Sequence, residues 1–439
     1  MNTKSKNRLT ARVRRFGIWG MLLATGMMVD ERIAAAPSVI ASQAPAVPLT
    51  TEWQQSQPNE MDVFALPGEA TDNSLPQFFR YGPLMLRPHA DYRFTYGNGI
   101  QSVPGDHEST AIQELSPGIF LNLGTHWAVD YTPTIRFYSN SKFRDTVDHA
   151  VALTGGVQLD DWKIGFSHGS AFTTTPLVET GGQTEQSTHA TALTASHMFT
   201  PQMSADLGLN QQINLVTGFQ DSYNWSTLDW FNYQFWPRLT AGIGAGGGYM
   251  KINDNSQTRT TNNLDQTYEQ LQARVNWRAT DKISFQINGG LDDRQFKTAG
   301  AGDSLNPIFG ATILYQPFKT TQISLTGNRT VGSSDYYLAA QQTETTSVGL
   351  NLNQRLLRKF ILGLGVAYAR TDYSTSTGAV SAGAVNRNDD DVSFNVRLSH
   401  PFFKHGTWSV FYQYADNRSS QPGLSFQSNQ TGFEISYRY

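Results

Sequence analysis

Side chains able to do chemistry are plentiful in the 439-residue chain, and their spacing limits which chemistry is open to them. Nine histidines stand at 89, 107, 126, 149, 168, 189, 197, 400 and 405. None forms a metal-ligand pair at helical spacing, and the chain has no cysteine to complete a thiolate site. His189 and His197 share a parity on one strand but lie too far apart to chelate together. A membrane-embedded hydrolase needs an activated serine or an Asp/His set gathered in space. Distant strands can assemble such a set, but nothing local in the sequence supports one. The glycines 242, 244, 246, 247 and 248 have the outline of a phosphate loop, yet no Lys-Ser/Thr follows and no helix opens there. A spacing of two instead puts them on the inner face of a strand, where a neighbouring ring or an infolded loop can lie against them. Asp389-Asp390-Asp391 lacks the glycine and glutamate register of an EF-hand loop. It reads as a solvated loop at the start of a strand, with bridging of divalent cations at a lipopolysaccharide surface as the sharper use. The motifs therefore point away from an enzyme, a metal site or a bound cofactor.

A distributed set of charges carries more information. Arg87, Arg93, Arg136, Arg274, Arg278, Arg294, Arg355, Arg397 and Arg438 all fall on the polar parity of alternating segments, as do Asp91, Glu114, Asp130, Asp206, Asp292 and Glu434. Charges of both signs facing one another can stiffen a wall or set a field across water. Either use needs a hydrated interior, because charges against lipid are very costly. Arg87, Arg278, Lys282, Arg355, Lys359 and Arg438 lie near the short-turn ends of their segments, with fewer acids (Asp91 and Glu434) beside them. Several like charges around a water-filled mouth concentrate counter-ions. The pattern predicts mild anion preference, of use for acidic sugars.

Strands must aim these charges. From Gly432 to Tyr439, Phe433, Ile435, Tyr437 and Tyr439 alternate with small or polar residues, the period-two signature of a strand with two unlike faces. Equivalent segments recur from Leu86 onward. Leu86 to Tyr96 comes first, and Leu115 to Leu123 turns at Gly124-Thr125 into Trp127 to Phe137. Later turns are expected at Asp160-Asp161, Pro201, Pro237, Thr280-Asp281, Pro317, Leu357-Arg358 and Pro401 to Gly406. A polar loop is expected from Thr173 to Ser187, followed by a weak strand near Leu193 to Phe199. The total is eighteen segments. Connections after even strands are tight. Those after odd strands are mostly long and polar, as at Asn98 to Thr110, Asp254 to Asn263, Gly332 to Gln342 and Tyr373 to Asn388. Short turns at one end and longer loops at the other, with an even count, are the marks of a bacterial transmembrane β-barrel with both termini in the periplasm. Trp127, Trp162, Trp236, Trp277, Tyr315 and Trp408 suit interfacial girdles. A soluble β-propeller would need both faces of each blade buried and a recurring residue signature, and neither is present.

Composition agrees with the barrel. Hydrophobic residues make up 39% and aromatics 12%, with mean hydropathy −0.40. That is low for a helical membrane protein but suits strands of which every second residue meets lipid. A net charge of −3 gives no sign of nucleic-acid binding. At the N-terminus, basic residues from Lys4 to Arg15, the apolar run Phe16 to Val29 and Ala34-Ala35-Ala36 read as a secretory signal peptide over 1–36. Residues 37–84 are rich in Pro, Ser, Gln, Ala and Thr and read as a disordered periplasmic linker, and 85–439 as the barrel.

Tyr131-Thr132-Pro133 with Tyr138-Ser139-Asn140, the stretch Pro176 to Gly181, and Ala205-Asp206-Leu207-Gly208-Leu209 resemble the putative β-barrel porin 2 family. These are outer-membrane barrels often associated with exopolysaccharide systems. The likeness extends in pattern over roughly residues 85 to 439 and brings no active-site motif. It implies an outer-membrane location in a Gram-negative-type bacterium, insertion by the barrel assembly machinery, and contact with outer-membrane lipid and lipopolysaccharide. The expectation is an all-β, up-and-down barrel of about eighteen strands. It would act as a passive channel for small hydrophilic solutes or exported polysaccharide, with a non-conducting structural or surface-binding barrel as the alternative. The residues expected to line the pore are Arg87, Arg93, Arg136, Arg274, Arg278, Lys282, Arg355, Lys359, Arg397, Arg438, Asp91 and Glu434.

Overall fold

Alternating sequence can satisfy its backbone hydrogen bonds in a membrane only if the sheet has no edge, and the chain closes on itself. The computed structural model describes residues 79–99, 109–177, 182–254, 265–297, 302–333, 341–375 and 387–438. The expected signal peptide, most of the expected linker, Tyr439 and the centres of the long loops lie outside the described residues. A two-residue strand β1 (Arg80–Tyr81) leads into eighteen long ones. They are β2 (Leu84–Asn98), β3 (Ser109–Leu123), β4 (Trp127–Tyr138), β5 (Thr146–Leu159), β6 (Trp162–Leu177), β7 (Gly182–Thr200), β8 (Met203–Val216), β9 (Gln220–Trp236) and β10 (Leu239–Asp254). The second half holds β11 (Gln266–Arg278), β12 (Ile283–Phe296), β13 (Ser304–Phe318), β14 (Thr321–Ser333), β15 (Gln341–Leu356), β16 (Phe360–Thr375), β17 (Arg387–Phe402), β18 (Gly406–Ser419) and β19 (Phe426–Arg438).

Each long strand pairs antiparallel with its sequence neighbours, and β19 pairs with β2 to close the barrel. At that seam Phe433 lies opposite Phe94 and Glu434 opposite Arg93, with the two phenylalanine rings stacked 5.6 Å apart. Through the strand centres large apolar side chains remain exposed along one parity, for example Leu115, Leu209, Ile243, Leu271, Val348, Val366 and Val410. In water such a surface would drive aggregation; against lipid it is the expected outer face. The other parity carries the buried Asp, Asn, Gln and Arg side chains. A propeller is ruled out by the continuous closed sheet.

Tight turns join the strands at one end. Leu357 (φ 47°) and Arg358 (φ 67°) occupy the left-handed region together, and Lys359 N–H reaches Leu356 C=O at 3.2 Å. A two-residue hairpin of type I′ requires this conformation, whose twist matches the flanking strands.

Several sequence expectations need correction. The segment Thr173 to Ser187 is largely strand: Thr173, Thr174 and Thr175 pair with Gln186, Glu185 and Thr184. Residues that rise above the lipid no longer alternate in hydropathy, yet their backbone still pairs. The expected weak strand at Leu193 to Phe199 belongs to β7, the longest of the described strands at 19 residues. Pro317 lies inside β13, where the register shifts between Tyr315 and Phe318. The missing N–H of proline produces an irregularity there, and the chain turns just after it. Asp389-Asp390-Asp391 lies within β17 and not in a loop, so the run divides between the two faces. Asp389 receives the Arg387 guanidinium, whereas Asp390 accepts from the Tyr368 hydroxyl at 2.6 Å.

Candidate functional site

The inner wall holds two constellations, each built by register. The first crosses the closing seam. Pairing of Glu434 with Arg93, Arg93 with Glu114, and Glu114 with Arg136 sets charges of opposite sign on successive strands β19, β2, β3 and β4. Arg136 Nε donates to Glu114 at 2.5 Å, and its Nη1 bonds Asp148 on β5. On the other side Arg397 of β17 donates to Glu434 at 2.8 Å. Phe411 of β18, which carries no charge, fills the gap: the Arg93 guanidinium sits 4.5 Å and that of Arg397 5.9 Å from its ring centre. The result is a ladder, Arg397, Glu434, Arg93, Glu114, Arg136, Asp148, in which opposite charges alternate, reaching across β18 at its first step and between adjacent strands thereafter. Next to it, His89 contacts Asp130 at 3.0 Å and lies 3.9 Å from Asp91.

The second constellation uses the glycine track of β10. A Cβ at Gly244 would fall 2.7 Å from the Trp230 ring, and one at Gly248 would fall 2.3 Å from Tyr268, so only glycine lets these rings lie flat against the strand. An arginine covers each ring, Arg274 at 4.3 Å from Trp230 and Arg294 at 4.7 Å from Tyr268. Arg274 is then held by Asp206 and by Asn232 at 2.9 Å. Arg294 is held by Asp292 at 2.7 Å, Gln266 at 3.1 Å and the Val331 carbonyl at 2.7 Å. These are charged groups with their hydrogen bonds made, stacked on aromatic faces.

Of the expected pore residues, the structure gathers Arg93, Arg136, Arg397 and Glu434 into one ladder and sends Arg274 to the second constellation. Asp91 stands by His89, and His89 is the register partner of Arg438. The remaining cations spread along the turn end. Arg87 donates to Met85 Sδ at 3.4 Å, Arg278 and Lys359 are exposed, and Arg355 faces Ile361 across the β15–β16 pair. Lys282 is drawn onto the Pro317 carbonyl at 2.8 Å and the Phe318 ring. Sequence reasoning missed Asp148, Trp230, Tyr268 and Phe411, which position the charges. For the three rings the signal was the inner parity of an aromatic residue opposite a glycine, a cue that only the cross-strand register makes visible. Among the described residues no three His, Asp or Glu side chains converge as metal ligands.

A closed antiparallel barrel with an apolar outer belt and a charged inner wall is an outer-membrane β-barrel fold. The family model described as "Putative outer membrane beta-barrel porin, MtrB/PioB" matches residues 231–436, which is β10 to nearly all of β19 and the end of β9. The three stretches that suggested the porin 2 family precede that region, and the description matched is a different one. Among solved structures the chain is similar to OccAB3 of Acinetobacter baumannii (TM-score 0.45, 10% identity, covering 82% of this chain and 100% of that one). It is also similar to the siderophore receptor PirA of Pseudomonas aeruginosa (0.43, 9%, 81% and 80%). The FrpB iron transporter of Neisseria meningitidis gives a TM-score of 0.43 at 8% identity, covering 83% and 82%. No curated protein matches the chain at a significant level.

Proposed function

We propose that the protein is a passive channel in the outer membrane of a Gram-negative-type bacterium, passing small hydrophilic solutes or exported polysaccharide. The observation that carries this reading is the alternating charge ladder from Arg397 to Asp148 on the inner face. Such a row is tolerable only beside water, and at eighteen strands a barrel is wide enough to hold an aqueous path. In this reading the short turns face the periplasm, residues 1–36 direct export and 37–84 form a periplasmic linker. The solutes pass along Arg87, Arg93, Arg136, Arg274, Arg278, Lys282, Arg355, Lys359, Arg397, Arg438, Asp91 and Glu434. The exposed Arg278 and Lys359, with Arg87 and Arg355, give the periplasmic mouth a positive bias that favours anions at low ionic strength, where screening extends over about 10 Å at 0.1 M.

A second reading, a non-conducting structural or surface-binding barrel, has its own support. Asp292 is 0% exposed and Arg294 and Gln266 are each 2% exposed, so side chains fill the inner wall along β11 and β12. Single-channel recording of the refolded protein in a planar bilayer separates the two. Ohmic openings are expected, with a reversal potential under a salt gradient that reports anion preference and moves toward cations in the Arg355→Glu, Lys359→Glu double variant. A silent bilayer containing correctly folded barrel selects the second reading.

A further inference from the structure

The outer wall carries a group of polar side chains that a lipid-facing surface does not need. His168 and Ser170 on β6 share the outward parity of Trp162, Ile164, Phe166 and Phe172, and the register sets them opposite Thr191 and His189 on β7. The four are joined in one chain of hydrogen bonds. Thr191 Oγ1 lies 2.9 Å from His168 Nδ1, His168 Nε2 lies 3.0 Å from Ser170 Oγ, and Ser170 Oγ lies 2.8 Å from His189 Nδ1. The chain can run in either direction. In one, His189 donates to Ser170, which donates to His168, whose Nδ1–H is received by Thr191. In the other, Thr191 donates to His168, which donates to Ser170, which donates to His189. Both directions leave the serine hydroxyl donating to an imidazole nitrogen, the arrangement that activates a serine nucleophile. Exposed Phe172 and Leu193 flank the group, and Phe172 meets His189 edge-on at 5.5 Å. Ser170 stands eight residues along β6 from Trp162, the girdle residue at its turn end. That is roughly 20 Å of rise once a strand tilt near 40° is allowed for, toward the far side of a belt about 25 Å tall. The ester groups of bilayer lipids lie at that border.

We propose that Ser170 is the nucleophile of an acyl-ester hydrolase site on the lipid-facing wall, with His168 or His189 as its base and Thr191 as a positioning residue. Ser170 Oγ attacks the acyl carbonyl carbon of a membrane lipid ester and its proton passes to the imidazole. The ester C–O bond breaks, and the leaving alcohol takes that proton. Water then attacks the acyl-serine and gives a proton to the imidazole. The acyl–Oγ bond breaks, the fatty acid departs and Ser170 recovers its proton. The inference rests on the wall meeting lipid and not on conduction through the lumen.

The test uses the full-length protein refolded into phosphatidylethanolamine–phosphatidylglycerol vesicles, with fatty-acid release measured alongside labelling by a long-chain alkyl fluorophosphonate mapped by mass spectrometry. Wild type is expected to release fatty acid and to carry the label on Ser170. Ser170→Ala should fall to background, and His168→Phe or His189→Phe should lose on the order of 100-fold, the contribution of a general base, which also fixes the direction of the chain. Thr191→Val should shift the pH profile of hydrolysis, and Ser167→Ala, on the inner parity of the same strand, should change nothing. Heat-modifiable mobility confirms folding of each variant, and conductance recorded on the same samples keeps this outcome separate from the channel reading. Folded wild type that neither releases fatty acid nor takes the label would overturn the proposal and leave these side chains as a contact surface for another membrane protein. Release that persists in Ser170→Ala would overturn it equally.

Discussion

The outer wall is unlike itself on its two sides. In the middle of β13 to β18, outward positions are held by Ile313, Leu325, Leu350, Val366, Phe394 and Val410, all six apolar. On β6 to β9 the corresponding stretch includes His168, Ser170, Thr191, Gln211, Thr227 and Asp229. Much of the polar side is bonded within itself. Asp229 accepts from the Gly208 N–H and the Thr227 hydroxyl, each at 3.1 Å, and Thr191, His168, Ser170 and His189 are joined in one line of bonds. Both walls obey the same backbone rules, so strand pairing does not depend on an apolar face. What lipid demands is that each outward polar group find a partner. A wall that meets this demand with imidazoles and hydroxyls, when leucine would do, is carrying something besides lipid contact.

Removing the seam erases the comparison altogether. Deleting Phe426 to Arg438 leaves β2 and β18 with open edges in a medium that cannot bond them, and complete loss of heat-modifiable, membrane-inserted protein is expected on semi-native electrophoresis. A smaller loss should follow from Arg136→Ala, which takes the guanidinium from the buried Asp148 and leaves Glu114 with Arg93 alone. Breaking a pair of this kind costs roughly 3 kcal/mol, read as a lower midpoint at unchanged slope in denaturant unfolding from detergent micelles. The outer walls themselves are compared by Leu350→Arg and Gln211→Arg. A cation near the bilayer midplane on a uniform apolar wall costs about 2–4 kcal/mol. On the polar wall it has neighbours to bond and is expected to cost less than about half of that. Equal costs at both positions would mean that the two sides are energetically the same. The smallest change is expected from Arg144→Ala. Its pair with Glu185 has both side chains 59% exposed, and exposed pairs contribute within about 1 kcal/mol, so the unfolding midpoint should not move measurably.

Most of the fold was legible before any coordinates. Phe433, Ile435 and Tyr437 announce a two-faced strand, and Thr280-Asp281 and Leu357-Arg358 stand at the turns the structure uses. Legibility failed where alternation faded. Thr173 to Thr175 and Thr184 to Gln186 are polar on both faces, so pairing there rests on backbone bonds that side-chain pattern does not report. The inner wall was half legible: parity picked out Arg93, Arg136, Arg397 and Glu434, but not Phe411 or Asp148, which make them a ladder. His168 and His189 were read separately because 21 positions divide them along the chain.

Period-two alternation and the placement of turns are local properties. They follow from side-chain volume, polarity and the conformations each residue tolerates, and so the sequence by itself determined an antiparallel, eighteen-stranded, two-faced barrel. Cross-strand register is a property of pairs. It sets Glu434 beside Arg93, lays Trp230 on Gly244, and brings Ser170 of β6 between His168 and His189. A slip of one residue between β6 and β7 would turn these groups to opposite faces while leaving the hydropathy pattern of either strand unchanged when read alone. Only the tertiary structure decided which charges cancel, which rings are covered and which hydroxyl meets a base, because those are distances between strands.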